Sequence, residues 1–154
     1  MTRLAVPSRL EVEVEVADPR WLSLDPALEA LVTRAATAAL AEQSGEISIL
    51  LTDDAALKAL NHRFRGQDKA TNVLSFPAAA TARPHLGDLA LGLEVCQAEA
   101  QASGKAFSDH LSHLIVHGAL HLIGHDHQDE AEAEVMEGLE RVILARLGLS
   151  DPYA

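Results

Sequence analysis

Three histidines and a glycine in the stretch HGALHLIGHDH, His117 to His127, follow the spacing H-x3-H-x2-G-x2-H, which can build a catalytic zinc site. His113, His117 and His121 are each four residues apart, so they stack on one face of a helix. Neighbours in that row can share an ion. The ends of the row cannot, because eight residues of helix rise about 12 Å. Ligands at roughly 2.0–2.1 Å from zinc lie within about 4 Å of one another. The same limit excludes His117, His121 and His125 as a straight helical triad. A third ligand therefore requires the helix to end and the chain to fold back. Gly124 supplies the residue that takes a positive φ without steric cost. After such a turn His127 can approach His117 and His121, with His125 as the competing third ligand. Three imidazoles leave a fourth position open to water, the pattern of a catalytic rather than a structural zinc. They accept nickel or copper as well. His110 and His113 fall one or two turns earlier and read as packing, ligand-supporting or substrate-facing groups. Asp126 is placed either to orient a ligand histidine or to cap the turn.

An ion in such a site lowers the pKa of bound water towards 7 and stabilises negative charge on an attacked carbonyl or phosphoryl oxygen. Zinc proteases of this spacing carry glutamate, their general base, directly after the first histidine. Here that position is Gly118. Peptide cleavage therefore ranks second, and a phosphodiester is the better match, since an arginine can meet the developing phosphoryl charge with a planar fork of donors. The segment NHRFRGQDKATNVLSF offers such residues. Between Asn61 and Thr71, Arg63, Arg65 and Lys69 face only Asp68. That segment is where a polyanion would be met, although a solvated helix end and loop explains the charge equally well. The formal net charge of the whole chain, −11, argues against a surface that grips nucleic acid indiscriminately. Acidic residues crowd a late segment, Asp129, Glu130, Glu132, Glu134, Glu137 and Glu140, which reads as a solvated face or a partner surface.

These residues need elements to hold them. Leu10 to Val16 alternates apolar and acidic positions, as expected of a strand with one wet side, at a sheet edge. Asp25-Pro26 reads as a helix start, and the helix runs through LEALVTRAATAALAEQS to Gly45. Ile47 to Thr52 is a second strand. Asp53 or Asp54 caps a helix through ALKALNHRF that Gly66 ends. Thr71 to Phe76 and Leu86 to Leu93 are further strands, separated by a loop, AAATARP. A helix through VCQAEAQAS stops at Gly104, and Ser108 caps the helix that carries the histidines. Asp129 opens a last helix, with an apolar stripe of Val135, Leu139, Val142, Ile143 and Leu147, which Gly148 stops. The order β-α-β-α-β-β-α-α-α predicts a single α+β domain over residues 1–154, about five helices on a small mixed sheet.

Composition agrees with that reading. Apolar residues are 48% of the chain but aromatic ones only 3%, an alanine-rich, helix-leaning balance. Cys96 is the sole cysteine, which excludes an intramolecular disulfide and a thiolate zinc site; it reads as a small buried side chain. The N-terminus has no uninterrupted apolar region and no run reaches 18 apolar residues, so the expectation is a cytoplasmic protein without signal peptide or membrane span.

On these motifs the chain resembles the YbeY family, metal-dependent endoribonucleases also called rRNA maturation factors. HGALHLIGHDH is very close to the family's signature, LNHRFRGQDKATNVLSFP looks like its second block, and LGDLALGLEVCQAEA like its third. The final DPY resembles the ending of some members. The likeness spans roughly residues 47 to 153, in the right order. It implies one zinc ion on His117, His121 and His127, a functionally important arginine at Arg65, and Asp88 on a strand close to the site. It implies cleavage of single-stranded RNA, with roles in 16S rRNA 3′-end maturation and ribosome quality control alongside the small ribosomal subunit and its proteins. Two departures stand out: His125 replaces the family's usual tyrosine, and Asn72 stands where many members have aspartate. A metallopeptidase and a non-catalytic, zinc-containing ribosome-assembly factor are the alternatives.

Overall fold

The computed structural model describes residues 9–66 and 71–153. Lys69 and Asp68 of the cationic segment lie outside the described residues. Strand β1 (Leu10–Val16) is followed by helix α1 (Leu28–Ala39), strand β2 (Gly45–Thr52), helix α2 (Asp54–Arg65), and strands β3 (Val73–Pro77) and β4 (His85–Gly92). Helices α3 (Leu93–Ser103), α4 (Phe107–Leu122) and α5 (Glu130–Arg146) complete the order, with short 3-10 turns at Pro19–Ser23 and Ala80–Ala82. The strands lie in the order β1-β2-β4-β3. β1 and β4 run parallel to β2, and β3 runs antiparallel to β4. The sheet is therefore mixed, in a single α+β domain, as the element order predicted.

Alternation in β1 does what its pattern implies. The valines pack inward while Glu11, Glu13 and Glu15 face solvent at one edge of the sheet. The inner face of the sheet carries the main core, where Ile47, Ile49, Leu51, Leu89 and Leu91 meet α1 and α4. Among the described residues the outer face carries α2, through a smaller cluster of Leu57, Leu74 and Ala90. Trp21 is wholly buried, donates its indole N–H to the Thr52 carbonyl at 2.9 Å, and packs on Phe107 with ring centroids 5.8 Å apart.

Local signals set most helix ends. Asp53 caps α2 by accepting from the Ala56 N–H at 2.8 Å, and Asp129 caps α5 by accepting from Glu132 at 2.7 Å. Three expectations need correction. α1 begins at Leu28 and stops at Ala39, well short of Gly45; Asp25 accepts from the Ala27 N–H instead of capping a helix at Pro26. α4 begins at Phe107 with no side-chain cap, so Ser108 lies inside it; the contact between Phe107 and Trp21 fixes that end by packing. The apolar stripe of α5 is rotated from the expected one. Val135 and Val142 are exposed, while Met136, Glu140, Ile143 and Leu144 are buried.

Candidate metal centre

Helix α4 presents His117 and His121 one turn apart, with ring centroids 4.7 Å apart and Nε2 atoms 3.2 Å apart. Two imidazole nitrogens on one tetrahedral zinc are expected roughly 3.3 Å apart, so this spacing fits a shared ion. The helix ends at Leu122, and Gly124 adopts φ 102°, where side-chain-bearing residues are strained. Its N–H donates to the His121 carbonyl and that of His125 to Leu120, both at 3.1 Å, closing the helix and sending the chain back. His127 then faces the pair, its ring centroid 5.5 Å from that of His117 and 5.2 Å from that of His121. One ligand atom from each of His117, His121 and His127 lies within 4.8 Å of the others, a group that could hold a metal ion. Among the described residues it is His127, not His125, that completes the group, although His125 lines the same cleft.

Electrostatics keep the donors available. Burial, with His117 and His127 alongside, lowers the pKa of His121 and so favours the neutral ring with a free lone pair. Behind these histidines lies Glu140 of α5, fully buried. It accepts from His117 Nδ1 at 3.0 Å, His113 Nε2 at 2.7 Å and the Tyr153 hydroxyl at 2.6 Å. Burial opposes its charge, but the three donors outweigh burial and hold the carboxyl at about 2. The sequence alone marks neither Glu140 nor Tyr153 as a site residue, since Glu140 reads there as one more acid in an acidic segment. Its periodicity carried the signal: Met136, Glu140, Ile143 and Leu144 share one helical face.

Gly118 lies where α4 crosses the sheet. A Cβ there would sit 3.0 Å from Leu89 Cδ2 and 3.1 Å from Val73 Cγ2, and its carbonyl accepts from Ser75 Oγ at 3.1 Å. The position that carries the base in a zinc protease thus faces packed strands, where even a Cβ requires Leu89 and Val73 to give way.

Arg65, the last residue of α2, lines a cleft of about 550 Å³ together with His117, His121 and His127. It reaches the wall of that cleft from the outer side of the sheet, donating Nη2 to the Ser75 carbonyl of edge strand β3 at 2.5 Å. Its guanidinium lies 5.6 Å from the Phe76 ring centroid. Asn72, Ser75 and Asp126 line the same cleft. Asp126 accepts from the His127 backbone N–H at 2.8 Å, so it steadies the turn instead of bonding an imidazole of the three-histidine group. His113 is turned towards Glu140, and His110 pairs with Glu99 at 2.9 Å. Asp88 is not in this cleft. It shares the outer sheet face with Ala90, contacts His85 at 3.2 Å, and lines a separate, largely apolar groove with Glu13, Glu15 and Phe64, because strand alternation turns it away from α4.

The family model for Endoribonuclease YbeY matches residues 13–148, a span that takes in Arg65, the three histidines and Glu140. This chain belongs to the YbeY endoribonuclease family. The YbeY endoribonuclease of Chelativorans sp. is 53% identical over 93% of each chain. That of Rhodopseudomonas palustris strain HaA2 is 46% identical over all of this chain and 85% of its own. A solution structure from Thermotoga maritima superimposes with a TM-score of 0.51, covering 94% of this chain and 98% of its own; at 23% identity it speaks for the fold alone. As a YbeY-family member the chain is an enzyme, a hydrolase that cuts within RNA. Among the described residues no helix is long and apolar enough to cross a membrane.

Proposed function

We propose that this chain is a zinc-dependent endoribonuclease that cuts single-stranded RNA in the cytoplasm. Its roles are 16S rRNA 3′-end maturation and ribosome quality control, with the small ribosomal subunit and its proteins as partners. Family membership supports the endoribonuclease reading. The site assignment rests on one observation: His117, His121 and His127 share a cleft with Arg65. When bound to the three imidazoles, one zinc ion supplies Lewis acidity and lowers the pKa of a water oxygen towards neutrality.

The remaining steps belong to side chains. Arg65, braced by the Ser75 carbonyl and Phe76, keeps further N–H groups for phosphoryl oxygens, where charge grows as the phosphodiester is attacked. The attacking oxygen comes from water or the ribose 2′-hydroxyl. Asn72 and Ser75 provide polar contacts along the cleft wall. The packing at Gly118 weighs against a peptidase that draws its base from that helix position.

The test is cleavage of a labelled single-stranded RNA by zinc-loaded protein beside identically purified His121→Ala, with circular dichroism to show that both are folded. Cleavage by the first and none by the second is the expected outcome. Equal cleavage by both removes this site from the reaction. Loss of folding in His121→Ala, with RNA binding but no cleavage by the parent, favours a zinc-containing assembly factor. A substrate with one 2′-deoxyribose at the cut separates the two nucleophiles, since only attack by water survives it.

A further inference from the structure

The carboxylate of Glu140 is an acceptor with no proton to give, so every group bonded to it must be a donor. His117 therefore carries its proton on Nδ1, which leaves the Nε2 lone pair pointing at His121 Nε2, 3.2 Å away. One carboxylate oxygen serves His117. The other accepts from both His113 and the Tyr153 hydroxyl. Tyr153 is itself held in place: Arg141 bonds Asp151 at 3.0 Å and lies 5.3 Å from the Tyr153 ring centroid, and the Tyr153 and His113 rings meet edge to face at 5.6 Å. Asp151 and Tyr153 thus close over the back of the metal centre, beyond the stretch that the family model matches.

Resting on the metal-site reading above, we propose that Glu140 is a positioning residue for the ion, and that Tyr153 is the strut that fixes it. Glu140 selects the ring tautomer of His117 that can bind metal, and the Tyr153 hydroxyl and His113 hold the carboxylate in register. Such outer partners of ligand histidines commonly contribute about 10- to 100-fold in metal affinity. A glutamine at position 140 cannot replace the carboxylate. It has one oxygen for sites that need two. If its amide N–H₂ faces His117, it demands a lone pair at Nδ1 and puts the proton on Nε2, the atom the metal needs. By linkage, docking of Tyr153 and metal binding each favour the other.

The experiment measures zinc affinity by competition with a chromophoric chelator, and the visible spectrum of the cobalt-substituted protein, for the parent, Glu140→Gln, Tyr153→Phe and Glu99→Gln. The last variant removes the corresponding carboxylate from His110 on the same helix and controls for a general loss of histidine–carboxylate pairing. Glu140→Gln is expected to fold, to bind zinc about 10- to 100-fold more weakly, and to shift the cobalt spectrum. Tyr153→Phe, which loses only a hydroxyl, is expected to weaken binding several-fold, and Glu99→Gln to match the parent. Parent-like affinity and spectrum in Glu140→Gln overturn the inference while leaving the metal site standing. Weakening of equal size in Glu99→Gln overturns it too. If Glu140→Gln does not fold, Tyr153→Phe decides: weaker binding supports the strut and unchanged binding refutes it. A parent that binds neither zinc nor cobalt refutes the metal-site reading and this inference together.

Discussion

At single residues, the site depends on which atoms have room and which carry protons. Gly118 shows the first point. Introducing glutamate there forces a charged side chain between α4 and the side chains of Leu89 and Val73, so Gly118→Glu is expected to lose at least about 2 kcal/mol of stability and to gain no peptidase activity. Urea unfolding and a casein digest check both halves. Glu140 shows the second. Its folded-state pKa of about 2 lies below the ordinary 4.5. Its charge therefore contributes stability that is complete above about pH 4.5 and disappears as pH falls towards 2, about 3 kcal/mol in all. Glu140→Gln lacks that acid limb, and the urea midpoints of parent and variant should converge as pH drops from 6 to 2. Cys96 behaves in the opposite sense. Burial first, then Glu99 and Asp54, push its thiol pKa well up, so it should react with a thiol reagent only after unfolding.

Among the elements, the helix-ending turn after α4 matters most, because it converts two helical histidines into a three-sided site. A Cβ at Gly124 meets nothing within 4 Å, so the cost of Gly124→Ala is purely conformational, about 1–2 kcal/mol at its positive φ. Relief of that strain moves His127, and zinc affinity should fall even where the fold survives; calorimetric titration reads this directly. The turn was legible in the sequence for that reason: three histidines that a straight helix cannot bring together demand a break, and glycine marks it. Strand β1, the cap at Asp129 and, as one of two adjacent candidates, the cap at Asp53 are legible too, since alternation and capping are local. What depended on neighbours was not. α4 starts where Phe107 meets Trp21, a contact between residues far apart in sequence. The inward face of α5 is not legible in that way, because exposed Val135 and Val142 look apolar in isolation, while the inward acid, Glu140, is held by His113, His117 and Tyr153. The family resemblance implies Asp88 on a strand close to the site, yet strand alternation turns its side chain to the sheet face opposite α4.

Over the whole molecule, a net charge of −11 leaves Arg65 as the cation that lines the metal cleft among the described residues. RNA affinity should accordingly fall only gently with salt, with a log–log slope of magnitude about 1–2, measured by fluorescence anisotropy between 50 and 200 mM salt. Saturating zinc should stabilise the fold by about 4 kcal/mol at a thousandfold excess over Kd, reversibly with chelator. The burial of Trp21 gives these experiments an internal standard. It is the sole tryptophan of the chain, seated beside Phe107 at the start of α4, about 20 Å of helix from His121. Its fluorescence is therefore a gauge of fold integrity read from the far end of the helix that carries the chemistry. A histidine variant that keeps the parent's emission maximum while losing metal has lost its ligand and kept its architecture, and one spectrum on the untagged protein separates the two.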